Sequence, residues 1–232
     1  MSFLEIQFSL VGKTLPADHG YALYSAVKKT VLTSLEEDAK KNQFSNLAQS
    51  IIETKSLPSE MLLCTVAGVP DREGKLYLNS KSRFRLRCSS DQVQIWYRLL
   101  QNQVLDIRGH LIRLVQPRLT LPEPSAILKA RLVTFHLEEW NIHEAPGHFL
   151  ESCKKALNRL EIEAQPFIDN DPNGNLALRA LQIRNKQVLG FSVVMEGLNE
   201  LDSLKLQCCG LGGRKHFGCG WFYPVKELTN AS

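Results

Sequence analysis

The sequence predicts an α+β chain of two tandem units, each running strand–helix–strand–strand–helix–strand. Three observations carry this. A strand-like run followed by a long helical repeat occurs twice, beginning at 3–11 and again at 127–135. Between the two, 117–124 holds three prolines, the composition of a linker. Each unit then closes on a short apolar strand, at 111–115 and at 221–225. The order is the ferredoxin-like pattern, βαββαβ, with domains expected at 1–117 and 125–232 and a glycine-rich loop before the last strand. No sequence similarity between the halves accompanies the repeated order.

In the first unit, 3–11 alternates in part and reads as a strand, and 12–14 turns. Pro16 suits the first turn of a helix and Asp18 its cap, so a helix is expected from about Asp18 toward Leu35. Leu23, Val27, Val31 and Leu35 recur every four residues and, with Tyr24, mark its buried face. The polar stretch 36–60 carries one apolar patch, Leu47, Ile51 and Ile52, and reads as the helix end, a short second helix and a loop. An apolar strand at 61–67 and a turn region at 68–74 follow. Lys81, Arg83, Arg85 and Arg87 alternate with Ser82, Phe84, Leu86 and Cys88, so a strand would place all four cations on one face. Val93, Trp96, Leu99 and Leu100 mark a helix. Runs at 104–107 and 111–115, split by Gly109, read as a hairpin-like pair.

In the second unit, the strand 127–135 leads to a helix opened by Pro146, with Phe149, Cys153, Ala156, Leu157 and Leu160 on its buried face. Strands are expected at 162–168 and 176–184, around a turn-rich stretch at 169–175. A hairpin at 184–187, with Arg184 and Lys186 at its tip, joins the latter to 188–195. Asn199 is placed to cap a helix carrying Leu201, Leu204 and Cys208, which Gly210 ends.

With 232 residues and 44% hydrophobic content, the chain is long enough for two cored units. A net charge of +4 decides little by itself, so the placement of charge matters. The six cysteines show neither a C-x-x-C pair nor zinc spacing with histidine, and read as reduced, mostly buried thiols of a cytoplasmic protein. No signal peptide or membrane-spanning run is expected. His136, His143 and His148 lie near Glu138, Glu139 and Glu144 but lack a metal-binding spacing, so neither metal nor cofactor is expected. His110 reads as structural.

The stretch richest in chemistry is Cys209-Gly210-Leu211-Gly212-Gly213-Arg214-Lys215-His216-Phe217-Gly218-Cys219-Gly220-Trp221-Phe222. Five of the fourteen glycines fall in eleven residues here. Glycine lets another backbone or a ligand approach closely, and clustered N–H groups of such a loop can hold phosphate oxygens. Gly212 and Gly213, with Arg214, Lys215 and His216, therefore suggest an anion or RNA contact. The alternative is a tight helix-to-strand connection. P-loop spacing is absent, and the loop precedes a strand and opens no helix, unlike a dinucleotide fingerprint. His19 falls in the first helical turn, where the positive end of the dipole favours a neutral imidazole. Ala22, Ala26 and Lys29 continue its flank as a narrow, small-sided strip.

G-x-G-G-R-K-x-x-G-x-G before an apolar strand resembles the C-terminal glycine-rich loop of the RAMP superfamily, the repeat-associated CRISPR proteins built on ferredoxin-like folds. Together with Leu15-Pro16-Ala17-Asp18-His19-Gly20-Tyr21-Ala22-Leu23-Tyr24, it resembles the CRISPR repeat-processing endoribonucleases, most closely their MYXAN-subtype branch, over nearly the whole chain. The resemblance implies metal-independent cleavage of CRISPR precursor RNA within repeats. The RNA's own 2′-hydroxyl would attack the adjacent phosphate, leaving a 2′,3′-cyclic phosphate and a 5′-hydroxyl. It implies a catalytic histidine at the start of the first helix, which is His19, with Tyr24 or Tyr21 assisting, Lys28, Lys29 or a loop cation on the developing charge, and His216 as the rival acid/base. Arg83, Arg85, Arg87, Arg184, Lys186, Arg214 and Lys215 would hold the repeat RNA, and the mature guide would stay bound. The alternative is a RAMP subunit that binds RNA inside a CRISPR effector complex, among other subunits, without cutting.

Overall fold

The computed structural model describes residues 3–39, 46–136 and 143–225. The backbone packs as two compact units. One runs to Leu121 and includes His216–Gly218; the other takes Pro122–Lys215 and the residues from Cys219 onward.

The first unit contains β1 (Phe3–Val11), β2 (Thr14–Pro16), α1 (Gly20–Ala39), α2 (Asn46–Thr54), β3 (Leu62–Leu63), β4 (Val69–Pro70), β5 (Lys75–Tyr77), β6 (Arg83–Ser89), α3 (Val93–Leu100), β7 (Val104–Ile107) and β8 (His110–Thr120). Its main sheet has the order β3-β6-β1-β8-β7, and every pairing is antiparallel. With β3, β6, β1 and β8 as the four strands of βαββαβ, this is the ferredoxin-like order, and β7 adds an edge by hairpin. Leu23, Val27, Val31 and Leu35 of α1 are buried with Trp96, Leu99 and Leu100 of α3 against Ile6, Phe8, Phe84 and Leu86. The four-residue repeat thus does what its spacing predicts.

Local differences have local causes. Thr14 leaves the expected turn and Pro16 the expected first turn of the helix: residues 14–16 pair with β5, β4 completes a small three-stranded sheet, and the helix begins at Gly20. The apolar run 61–67 pairs with β6 at Leu62 and Leu63, and the Cys64 N–H adds a bond to the Arg85 carbonyl oxygen at 2.9 Å. The expected linker is partly strand, because β8 continues to Thr120 through Pro117. Gln7 pairs with Arg118 and Ser9 with Val115, so two residues of β8 face one of β1; Gln116 takes φ 49°. A bulge of this kind tolerates a residue without an N–H.

The second unit contains β9 (Leu128–Val133), α4 (Ala145–Arg159), β10 (Gln165–Ile168), β11 (Leu178–Ile183), β12 (Lys186–Glu196), α5 (Glu200–Cys209) and β13 (Phe222–Pro224). The sheet order β10-β12-β9-β13 repeats the first unit's pattern, and β11 pairs with the leading half of β12 as a hairpin. Phe149, Cys153 and Leu157 of α4 are buried with Leu128, Ala130, Val193, Met195 and Phe222. Asn199 caps α5 as predicted, its Oδ1 accepting the Asp202 N–H at 2.8 Å. Among the described residues, no helix is long and apolar enough to cross a membrane. All six cysteines are free thiols, and four of them are buried.

Candidate functional site

Three structural features of the first unit meet at the start of α1. His19 precedes the helix, and its carbonyl accepts the Leu23 N–H at 2.7 Å, so it stands at the cap position. Its side chain is 2% exposed. Nδ1 lies 2.8 Å from the Pro16 carbonyl oxygen, and Nε2 receives the Val66 N–H at 2.9 Å. A carbonyl only accepts and an amide only donates, so the ring is neutral, with its proton on Nδ1. One turn on, Tyr21 and Tyr24 face His216–Gly218. Tyr24 lies flat against His216, with centroids 5.4 Å apart at 4°, and meets Phe217 edge-on at 5.0 Å; Tyr21 meets Phe217 at 5.4 Å. Burial pushes the Tyr24 phenol above its ordinary value, as does the neighbouring Tyr21, so it stays a donor at neutral pH. His216 donates from Nε2 to the Pro58 carbonyl oxygen at 2.6 Å. The cleft on the small-sided flank of α1, about 320 Å³, opens further along the helix, between Ala26, Lys29 and Thr33 and the β7 residues Val104 and Asp106; His19 does not line it.

The outer face of the first sheet carries the arginines. On β6, Phe84, Leu86 and Cys88 are fully buried while Arg83 and Arg85 are half-buried on the other face, as the alternation predicts. Arg87 departs from the expectation. It is 2% exposed and bonded Nε to Oε2 of Glu5 at 2.8 Å, because β1 places Glu5 directly opposite it. Arg87 is therefore spent inside the sheet and is not available to RNA, contrary to the expectation. Glu5 Oε1 lies 4.0 Å from Arg85 Nη1, and Arg85 Nη2 lies 3.3 Å from Cys64 Sγ. The register also adds cations that the sequence reading left out. Arg118 stands across Gln7 from Arg85, and Arg113 pairs with Val11 further along; both are exposed. Reading β8 as ending before Pro117 hid Arg118, whereas Arg113 lay within the expected strand 111–115. The signal was there in the even spacing from Val11 and Gln7, once a bulge at Gln116 is allowed.

The glycine loop of the second unit is packed against that unit's own backbone. The Gly213 N–H donates to the Thr134 carbonyl oxygen at 2.9 Å, and the Thr134 hydroxyl donates back to the Gly213 carbonyl at 3.2 Å. Gly212 takes φ 79°, and a Cβ there would stand 2.5 Å from the Thr134 oxygen. Gly212 serves a close approach of backbones, and the Gly213 amide expected to meet phosphate is already used. Lys215 donates Nζ to the Cys209 carbonyl oxygen at 2.6 Å, closing the C-terminus of α5; burial lowers its pKa, with Cys209 acting the other way. Arg214 is the exposed cation of the loop. Arg184 and Lys186 are exposed at the β11–β12 hairpin, Arg184 with φ 53°. Among the described residues, no group of three or more His, Cys, Asp and Glu could hold a metal ion. Glu138 and Glu139 lie outside the described residues.

The chain matches known proteins over nearly its whole length. The profile of the family described as Cas6 Crispr matches residues 4–227. The chain is 31% identical, over 224 residues, to the CRISPR-associated endonuclease Cas6 of Myxococcus xanthus, covering 97% of this chain and 82% of that protein. Two solved structures share the fold. One, a CRISPR-associated protein Cas6, aligns at 12% identity with a TM-score of 0.63 and coverage of 97% of this chain and 99% of that one. The other, a Cas6-related protein from Pyrococcus furiosus, aligns at 11% identity with a TM-score of 0.62 and the same coverage. The chain belongs to the Cas6 family of CRISPR-associated endonucleases.

Proposed function

We propose that the chain cuts CRISPR precursor RNA within its repeats, without a metal, and keeps the mature guide. The 2′-hydroxyl attacks the adjacent phosphate, the P–O5′ bond breaks, and the products carry a 2′,3′-cyclic phosphate and a 5′-hydroxyl. Such a reaction requires a base, an acid and cations on the phosphorane. The observation that carries the reading is the cluster at the start of α1, where imidazole and phenol groups, both able to move protons or donate to phosphate, gather within ring contact. An imidazole of this unit, His19 or His216, takes the 2′-hydroxyl proton; His19 can do so only when its Val66 bond opens. Arg83, Arg85, Arg113 and Arg118 track phosphate along the first sheet, as do Arg184, Lys186 and Arg214 on the second unit.

The test is cleavage of RNA carrying one repeat of the host array, in EDTA, with product ends typed by phosphatase and kinase. One cut with a cyclic phosphate is expected. Tight binding with no cut would favour the subunit that holds RNA in an effector complex.

The sheet face makes a separate prediction. Arg113→Gln with Arg118→Gln removes two cations from the proposed RNA path. The salt slope of log K for repeat RNA should flatten by about 1.4–1.8, at ~0.7–0.9 per lost phosphate contact. An unchanged slope would take RNA off this face.

A further inference from the structure

Gln7 stands at the centre of the first sheet's outer face. β1 is the middle strand of five, and its register sets Arg85 of β6 and Arg118 of β8 opposite Gln7, one on each side. Neighbouring strands run about 4.8 Å apart, so the two arginines rise from backbones separated by roughly 10 Å, with one neutral amide between them. The rungs on either side differ. Toward the start of β1 the rung is Arg87–Glu5–Thr120, closed by the buried ion pair; toward its end it is Arg83–Ser9–Val115, with a short hydroxyl in the middle.

The amide is held one way round. Its Nε2 donates to Glu5 Oε1 at 2.8 Å and to the Thr120 hydroxyl oxygen at 3.3 Å. A carboxylate only accepts, so an amide oxygen turned toward Glu5 would set two acceptors together, and the nitrogen must face it. Glu5 is itself fixed, since its other oxygen accepts from the buried Arg87 at 2.8 Å. Both hydrogens of the NH2 group are therefore used inside the protein. What the half-buried side chain presents is its carbonyl oxygen, which has no partner among the described residues.

An acceptor between two cations matches an RNA backbone. Guanidiniums take phosphate oxygens, which only accept. Between one phosphate and the next, the RNA backbone has a single donor, the ribose 2′-hydroxyl, and DNA lacks it. A lone acceptor cannot sort bases, each of which carries a donor on its edge, but it does sort ribose from deoxyribose. We infer that Gln7 is a sugar-reading residue: its Oε1 accepts the 2′-hydroxyl of one ribonucleotide, other than the one cut, whose flanking phosphates lie on Arg85 and Arg118. This rests on the RNA path proposed above for the first sheet. The buried Glu5–Arg87 pair gains a role from it, because it fixes the amide with the oxygen, and not the NH2 group, toward the RNA. Preference for RNA is then built into binding, apart from the chemistry, which demands a 2′-hydroxyl only at the cut.

Equilibrium binding of one-repeat RNA, with a 2′-deoxy nucleotide blocking the mapped cut, tests this. A second 2′-deoxy nucleotide is walked along the repeat. In wild type, substitution at one position is expected to weaken binding by about three- to tenfold, the worth of one hydrogen bond. A 2′-fluoro nucleotide there keeps the ribose pucker but cannot donate, and should cost as much. Gln7→Met, similar in length but without the amide, should bind the otherwise all-ribose repeat about three- to tenfold more weakly. It should also be indifferent, within about twofold, to deoxy substitution at that position, while penalties elsewhere persist; a merely structural fault would not erase the penalty at one nucleotide alone. Its salt slope should match wild type, because no phosphate contact is lost. Gln7→Leu is the second variant should Gln7→Met melt early. A wild type in which no position responds to fluorine would overturn the inference, and so would a Gln7 variant that retains every wild-type penalty. Arg118→Gln separates this outcome from failure of the RNA path. If it flattens the salt slope by about 0.7–0.9 while the Gln7 variants keep every penalty, the RNA lies on the sheet and the amide does not read its sugar. If neither Arg118→Gln nor Gln7→Met alters binding, the RNA runs elsewhere and the inference falls with its path.

Discussion

Glu5→Ala should destabilise the first unit by about 3–5 kcal/mol, the cost of removing one partner of a buried ion pair. Glu5 is 5% exposed, and its Oε2 accepts from Arg87 Nε at 2.8 Å in the middle of the β1–β6 ladder. Burial lowers the pKa of the Arg87 guanidinium, and the charge and hydrogen bond of Glu5 are what oppose this. Removing the carboxylate leaves a charge in the sheet without its counter-ion, and also takes the acceptor of the Gln7 amide at 2.8 Å. Glu5→Leu combined with Arg87→Met should recover most of the loss, because an apolar pair of similar volume carries no desolvation cost. A urea-denaturation cycle of the two single variants and the double measures the coupling directly. A loss below about 1 kcal/mol for Glu5→Ala would mean that the pair behaves as a surface ion pair.

The same pair shows what the sequence could and could not disclose. The alternation of Arg83, Arg85 and Arg87 placed them on one face, and that face exists. The state of each arginine, however, depended on a residue 82 positions away in the chain, which only the strand register brings opposite. Local signals read correctly for the same reason that this one did not. The Leu23-Val27-Val31-Leu35 stripe, the Asn199 cap and the Gly210 stop each involve groups within a few turns of one another. The glycine loop was legible as a place of close approach, but its occupant was not. The backbone at Thr134 takes the space and the amide that phosphate was expected to use. Lys215 is spent on a carbonyl six residues back, and His216 packs on α1 nearly two hundred residues earlier. The resemblance of the motifs led to the family. It did not distinguish the sense of the hydrogen bonds at His19 and His216, because hydrogen-bond polarity is a property of the folded neighbours.

Gly220→Ala should cost about 2–4 kcal/mol, the sum of left-handed backbone strain and overpacking. Gly220 takes φ 66°, and its N–H is bound to the Leu132 carbonyl at 2.8 Å, just before β13. A methyl group there would overlap the Leu211 carbonyl oxygen and lie 3.0 Å from the Leu211 nitrogen. These are backbone atoms of the chain leaving α5, so no side chain can swing aside. Two other glycines divide the cost into its parts. Gly174 has φ 84° with nothing near a built Cβ, so Gly174→Ala should show only the conformational share, about 1–2 kcal/mol. Gly147 lies in the first turn of α4 with an ordinary φ and open space, so Gly147→Ala should be neutral or stabilising by up to about 1 kcal/mol. Urea midpoints for the three variants should therefore fall in the order 147, 174, 220. If Gly220→Ala matched Gly174→Ala, the segment would be yielding, and close packing would not be what its glycine provides. If it is much the worst of the three, the glycine-rich stretch is required by the backbone of the second unit itself, before any RNA arrives.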